Sequence, residues 1–530
     1  MGHVSGDSTG NHPVIPSLKA REQPELLRKF SPRFRLGPGT IQLYRFCDLL
    51  SGFLICAMVV FSPWAFGTTQ AWSIWTMNVA GYCLGLLLLV KTVIRRLCGY
   101  HPPDWRGQTD AASGWFRPEV LTNILTILTA AILAFTLISA LNARATWQPY
   151  AASFEYHSCL RWLPHSLDSG STWFAFWQYL GLACSFWAVR DWLLGRAGAE
   201  ELVAAQKATS PDTRHPAFPA RMRLLLWLLA INGALLAIEG IIQRVEGSGN
   251  LLFLVKPRVN PGAVTQFGPY AYRSNASQYF NLVWPLCLGF WWSLHRTARQ
   301  HQRRHHLLLP LAALMAACPI ISTSRAGAII TVGIAVAAVL FLISAQVLFH
   351  PARAETRASR RLVLAGVLLF LVSALSLGFA MGWKTLAPRM DEIPAGYTQR
   401  EEMYDRARPM ASDYPLFGTG PGTFESVFQL YRISTDTYWP AQLHNDWLET
   451  RITFGWVGFL MILAALAVVL LRWFARGGIH AGRRFVVISW MALGGCLVHA
   501  RWDLPFQIHS IVFLFLLVCA VLCVVSRRPA

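Results

Sequence analysis

Residues 444–458, HNDWLETRITFGWVG, set an imidazole, an amide, two carboxylates and a guanidinium at the threshold of an apolar run. His444 is the side chain best suited to accept a proton there, because an imidazole titrates near neutrality. If the segment is helical, Leu448, Arg451 and Gly455 share its face, and Gly455 and Gly458 let a neighbouring helix approach closely. A second reading has His444 as an interfacial histidine satisfied by a backbone carbonyl. Arg325, in ISTSRAG (321–327), is flanked by the hydroxyls of Ser322, Thr323 and Ser324. A fixed guanidinium beside hydroxyls suits a phosphate or diphosphate, although an arginine at a helix end also snorkels to headgroups.

Further cations are placed to serve the same anion. GYTQREEMYDRAR (396–408) has Thr398 and Glu401 at capping-box spacing, which would stack Arg400, Tyr404 and Arg408 along one helix face. Arg273, in GPYAYRSNAS, is another, but for Arg273 and Arg408 a solvated surface role is the stronger account. Pro409 is expected to kink or stop the helix, and DYPLFGTGPG (413–422) to form turns. TFESVFQLY (423–431) would lie on the bilayer interface with Phe424, Val427, Phe428 and Tyr431 on one face. Trp439-Pro440 would then start the helix carrying His444.

Several chemistries lack their residues. The glycines of 416–424 are not followed by G-K-[ST], so a nucleotide P-loop is excluded. There is no D-x-D or H-E-x-x-H. No C-x-x-C pair or histidine spacing points to zinc or haem, so no metal or cofactor is expected. Intramembrane carboxylates are nearly absent apart from Asp503 at an outer end, which weighs against an ion-coupled transporter.

The elements that must position these side chains are membrane helices. Of 530 residues, 54% are hydrophobic and only 14% charged, too few charges to cover a soluble protein of this length. Apolar segments fall at 46–66, 72–93, 119–140, 172–189, 222–242, 275–294, 307–322, 326–349, 362–382, 455–471, 485–500 and 509–525. The fold expected is an all-α polytopic membrane protein of about 12 spans with a long helical periplasmic loop, GT-C-like. The net charge of +20 sits largely in connectors such as HRTARQHQRRHH (295–306) and HPARAETRASRR (350–361). That pattern follows the positive-inside rule and anionic lipid rather than nucleic acid. It puts both termini in the cytoplasm and residues 383–454 outside, a connection too long to be passive. Residues 1–43 read as a disordered cytoplasmic tail, 44–264 as an N-terminal transmembrane bundle and 265–525 as the catalytic region.

At this point a resemblance enters. His444-Asn445, followed by nine residues and then Gly455-x-x-Gly458, resembles the signature of the O-antigen ligase and O-antigen polymerase family of bacterial inner-membrane transferases. STSRAG (322–327), the helix led by Arg400, DYPLFGTGPGTF (413–424) and DLPFQIHSIVFLFLL (503–517) follow the family order. The resemblance covers about 265–525 and implies that His444 is catalytic and that Arg325 and Arg400 hold a donor diphosphate. Arg273, Arg408, Tyr404 and Asn445 are further candidates for substrate contact.

It also implies a metal-independent, inverting glycosyltransferase at the periplasmic face of the bacterial inner membrane. The donor would be an undecaprenyl-diphosphate-linked glycan and the acceptor lipid A–core, as in an O-antigen ligase of lipopolysaccharide biosynthesis. A polymerase using a growing glycan, or a relative acting on protein hydroxyls, would use the same donor side. From a different class, a lipid-linked glycan flippase or polysaccharide exporter would distribute its cations along an internal cavity.

Overall fold

Long uncharged runs must satisfy their backbone groups internally in lipid, and helices result. The computed structural model describes residues 37–102, 117–196, 218–297, 304–347, 357–432, 441–475 and 482–525. In chain order the long helices are α1 (Pro38–Trp64), α2 (Ala71–Cys98), α3 (Pro118–Leu141), α4 (Ser169–Leu194), α5 (Ala220–Glu246) and α6 (Arg273–Thr297). They are followed by α7 (Leu308–Ile321), α8 (Arg325–Val347) and α9 (Arg357–Gly378), which continues through a π turn at Phe379–Trp383 into α10 (Lys384–Asp391). Then come α11 (Ile393–Asp413), the short α12 (Phe424–Val427), α13 (Asp446–Leu471), α14 (Arg483–His499) and α15 (His509–Val524). The protein is an all-α polytopic membrane protein. Among the described residues, eight helical stretches are long and apolar enough to cross a bilayer. The four other apolar segments read from the sequence are occupied by α4, α6, α14 and α15. Among the described residues one sheet occurs, a hairpin of β1 (Ala145–Gln148) antiparallel to β2 (Ser153–Tyr156), with Ala145 opposite Tyr156. The expected tail falls almost wholly outside the described residues, and helix has begun by Pro38.

Helix α6 is the axis of the bundle. From Ser274 to Ser293 every residue is buried, including Trp284, Trp291, Tyr279 and Phe280. It packs against α5, α7, α8 and α14. Its polar side chains are tied down inside: Asn281 donates to Gly327 O at 3.0 Å and accepts from Thr331 Oγ1. Carboxylates within the bundle are more numerous than the sequence reading allowed. Asp48 and Asp191 lie on α1 and α4, where Lys91 pairs with both at 3.1 and 2.7 Å and Arg95 and Arg221 complete the network. Fixed cations neutralise them, so they read as anchors between helices; removing one partner of such a buried pair typically costs about 3–5 kcal/mol.

The outer segment has its own small core. Phe424, Val427 and Phe428 pack with Leu167, Tyr404, Ala407, Met410, Leu443 and Ile452. The 424–431 segment therefore faces protein and not the bilayer surface as expected; its apolar side is covered by α11. That helix is longer than its motif indicated. Thr398 lies inside it and donates back to Pro394 O at 3.0 Å, so it is no cap. The helix also runs on through Pro409 to Asp413, because Met410 and Ala407 are held in the same core.

Helix α13 is broken at Gly455 (φ 62°, ψ −171°). The Trp456 and Val457 N–H groups leave the helical ladder and donate to Pro415 O (2.9 Å) and Leu416 O (3.1 Å). The deserted carbonyls of Ile452 and Thr453 accept from Thr419 and Gly420 at 2.9 and 3.0 Å. All four backbone groups are thus satisfied across the break. Gly418 (φ 74°) fits only because both backbones lack a Cβ there: one on Gly455 would lie 2.2 Å from Leu416 O. Gly455 adopts a conformation open essentially to glycine alone, so Gly455→Ala should cost more than the roughly 1–3 kcal/mol of backbone strain. The check is thermal unfolding in detergent, with Gly494→Ala, whose Cβ would meet open space, as the silent control. An unchanged midpoint for Gly455→Ala would contradict this account of the break.

Candidate active site

His444 stands just outside α13. Asn445 caps that helix, its Oδ1 accepting from Leu448 N–H at 3.2 Å, and helix begins at Asp446. The expectation that a helix from Trp439-Pro440 carries His444 is therefore corrected. Residues 433–440 lie outside the described residues, and His444 itself has φ 56°, so it shares no helical face with Leu448, Arg451 or Gly455. A positive φ on a non-glycine residue is held by its surroundings. Here Tyr404 donates its hydroxyl to His444 O at 2.8 Å, and Asp446 N–H donates to Ala500 O at 2.9 Å. Tyr404 is fully buried; it and Asn445 position His444 and do not face solvent.

The His444 side chain points at Asp503, with Nδ1 3.1 Å from Oδ1. An ionised carboxylate only accepts, so Nδ1 carries the proton and Nε2 is left as the acceptor. Asp503 is buried, accepts from Leu504 N–H at 3.1 Å and from Ser274 Oγ, and lies 3.5 Å from the Tyr272 hydroxyl. Burial alone would raise its pKa, yet the His444 hydrogen bond and the charges of His444 and Arg400 hold this carboxyl well below the usual carboxylate range. It therefore stays ionised and orients the imidazole, and it would stabilise the charge of a His444 protonated at Nε2. The Tyr272 ring stands edge-on to His444 at 6.1 Å. Burial first, and the charge of Asp503 second, push its phenol up to about 12.

Arg400 donates to Trp502 O. Burial works against its charge, while Asp503 and Tyr272 favour it more, and the net effect is upward. Beyond Tyr272 lies a second group of guanidiniums. Arg325 Nη1 donates to Glu392 O at 3.0 Å and Arg389 Nη1 to Thr323 O at 2.9 Å, crossing between α8 and α10. Arg273 donates to Val264 O at 3.0 Å, and Arg244 to Gln266 O at 2.9 Å. Arg273 is within electrostatic range of Arg389, Arg244 and Arg325. Carbonyl partners orient these side chains without cancelling their charge. Among the described residues no carboxylate pairs with any of the four, although Glu392 is in electrostatic range of Arg389.

Arg408 does not belong to this group. It is half exposed and paired with Glu401 and Asp405. The hydroxyls of Ser322, Thr323 and Ser324 are likewise spent: all three residues are buried, and Ser322 donates to Pro319 O. Their expected role beside Arg325 is taken by Arg389. Asp503, Tyr272, Ser274, Arg389 and Arg244 were missed by sequence reasoning. Asp503 was set aside as a lone outer carboxylate, and although it opens the DLPFQIHSIVFLFLL stretch that carries part of the resemblance, no role was attached to it.

Residues 310–463 match the O-antigen ligase family. That stretch of the chain is similar to an O-antigen ligase domain. The match runs from α7 into α13 and takes in Arg325, Arg389, Arg400 and His444, while Arg273 and Asp503 lie outside it. No curated protein matches the chain. The domain supports ligase or related polymerase activity of glycosyltransferase type, acting on a lipid-linked glycan and an acceptor.

Proposed function

We propose that this O-antigen ligase-domain protein transfers a glycan from undecaprenyl diphosphate to an acceptor hydroxyl on the periplasmic face of the inner membrane, as an O-antigen ligase acting on lipid A–core. The observation that carries the reading is the His444–Asp503 pair standing beside Tyr272 and Arg400, with Arg273, Arg325, Arg389 and Arg244 beyond. In this reading the acceptor O–H attacks the anomeric carbon and its proton passes to His444 Nε2. The carbon–oxygen bond to the diphosphate breaks on the opposite face, which inverts the configuration. The electron pair leaves on the diphosphate, whose growing charge meets guanidiniums already in place. No metal is required, because the arginines supply the positive charge.

A groove of about 580 Å³ supports the lipid character of the donor. It is lined by Ile320, Ala328, Val332, Phe379, Leu386 and Met390, the last of which follows Arg389 in the chain. A polyisoprenoid tail would fit such an apolar groove. A flippase needs cations along an internal path, whereas these gather at one end of the bundle with a proton acceptor.

The test is a deletion strain analysed by mass spectrometry. Full-length polymer stranded on its lipid carrier is the expected result. Accumulation of single repeat units would instead make the protein a polymerase, and unaltered glycans on both carrier and acceptor would overturn the reading.

A further inference from the structure

The connector between α6 and α7 is the one place where the chain brings three histidines together, among the described residues. His295 closes the last turns of α6, and His305 and His306 sit on the short turn Arg304–Leu307 that leads into α7. The ring centroids are 5.5 Å apart for His295–His305 and for His295–His306, and 4.1 Å for His305–His306. One ligating nitrogen from each lies within 4.8 Å of the others. His295 Nδ1 and His305 Nε2 are 3.3 Å apart. That equals the edge of a tetrahedron with metal–nitrogen bonds of roughly 2.0–2.1 Å.

We propose that His295, His305 and His306 form a site for a late transition-metal dication, zinc foremost, which fastens the α6–α7 hairpin. Three imidazoles without a carboxylate select zinc, copper or nickel, because magnesium and calcium take oxygen ligands. The segment 295–306 contains no Asp or Glu. The site is partly built in advance. Trp291 stacks on His295 with centroids 5.6 Å apart at 22°, and His305 is buried. His306 is exposed, which leaves a fourth position to water. The flanking arginines oppose a dication, so affinity rests on the ligand bonds and not on the local field. The site is remote from the reaction: at 1.5 Å per residue, Ser274 and His295 stand about 32 Å apart along α6. It would nonetheless fix the hairpin whose far end presents Arg273 and Thr323. Ligands split between one helix end and the next turn explain why spacing along the chain did not reveal it.

The experiment uses the untagged full-length protein in detergent, stripped with chelator and titrated with zinc alone, with bound metal counted after desalting. About one zinc per chain is expected, with a rise in the thermal midpoint and visible absorption when cobalt replaces zinc. His305→Ala and His306→Ala should each weaken binding at least about tenfold while eluting as folded protein. His444→Ala should bind as the parent does. Zinc far below one equivalent, or binding unaffected by both connector variants, overturns the proposal, as does loss of zinc in His444→Ala alone.

Discussion

His444→Ala should lower the rate of glycan transfer by about 10²–10⁴-fold, the usual worth of a positioned general base. The protein should remain folded, since the side chain is partly exposed and the anchoring of this segment uses the His444 carbonyl and the Asp446 amide. Asp503→Asn should approach the same loss for a different reason. Asparagine is neutral and offers an amide donor where Nδ1 needs an acceptor, so the imidazole loses both its charge partner and its tautomer. Because the two side chains act as a unit, the double variant should be little worse than His444→Ala alone. The measurement is transfer from a purified lipid-linked donor, with thermal unfolding run in parallel. Activity of His444→Ala within tenfold of the parent would remove the general-base role, and fully additive losses would remove the pairing.

The second large effect concerns the cations. Arg389→Ala and Arg325→Ala should each reduce kcat/KM for the donor by about 10²–10³-fold, as the loss of one preorganised donor to a developing anion does elsewhere. The loss should fall on the donor and leave the acceptor KM unchanged. Arg325→Lys should recover only part, because lysine keeps the charge but not the fork that bonds Glu392 O and the anion together. Arg408→Ala serves as the internal comparison. Its charge is already taken by Glu401 and Asp405, so its effect should stay within about twofold, as for exposed ion pairs. Donor kinetics in which Arg408→Ala is the more damaging variant would place the anion on the other face of α11 and dismantle the site as drawn.

How far the sequence could be read depends on the range of the forces involved. Each of the twelve apolar segments contains a helix, because transfer into lipid is a sum over neighbouring residues and the bilayer thickness sets the length. His444 and Arg325 stood out as candidates because each lies beside a membrane helix in a polar stretch, and Arg400 because it leads the charged face of α11. Local rules failed where a distant surface overruled them. Pro409 does not end α11, because Ala407 and Met410 are gripped by Phe424 and Phe428. Gly455 was read as a site of close helix approach, yet it breaks its own helix to exchange four hydrogen bonds with residues 415–420.

What the sequence determined by itself was the membrane class, the placement of the helices, and the charged residues lying at the ends of those helices. Only the tertiary structure decided the company each residue keeps. Asp503 reaches His444 across 59 positions of chain, and Arg389 joins Arg325 across 64. Burial energy is additive along a segment and so is written locally. A hydrogen bond between two helix ends exists only once the whole bundle has set the distance between them.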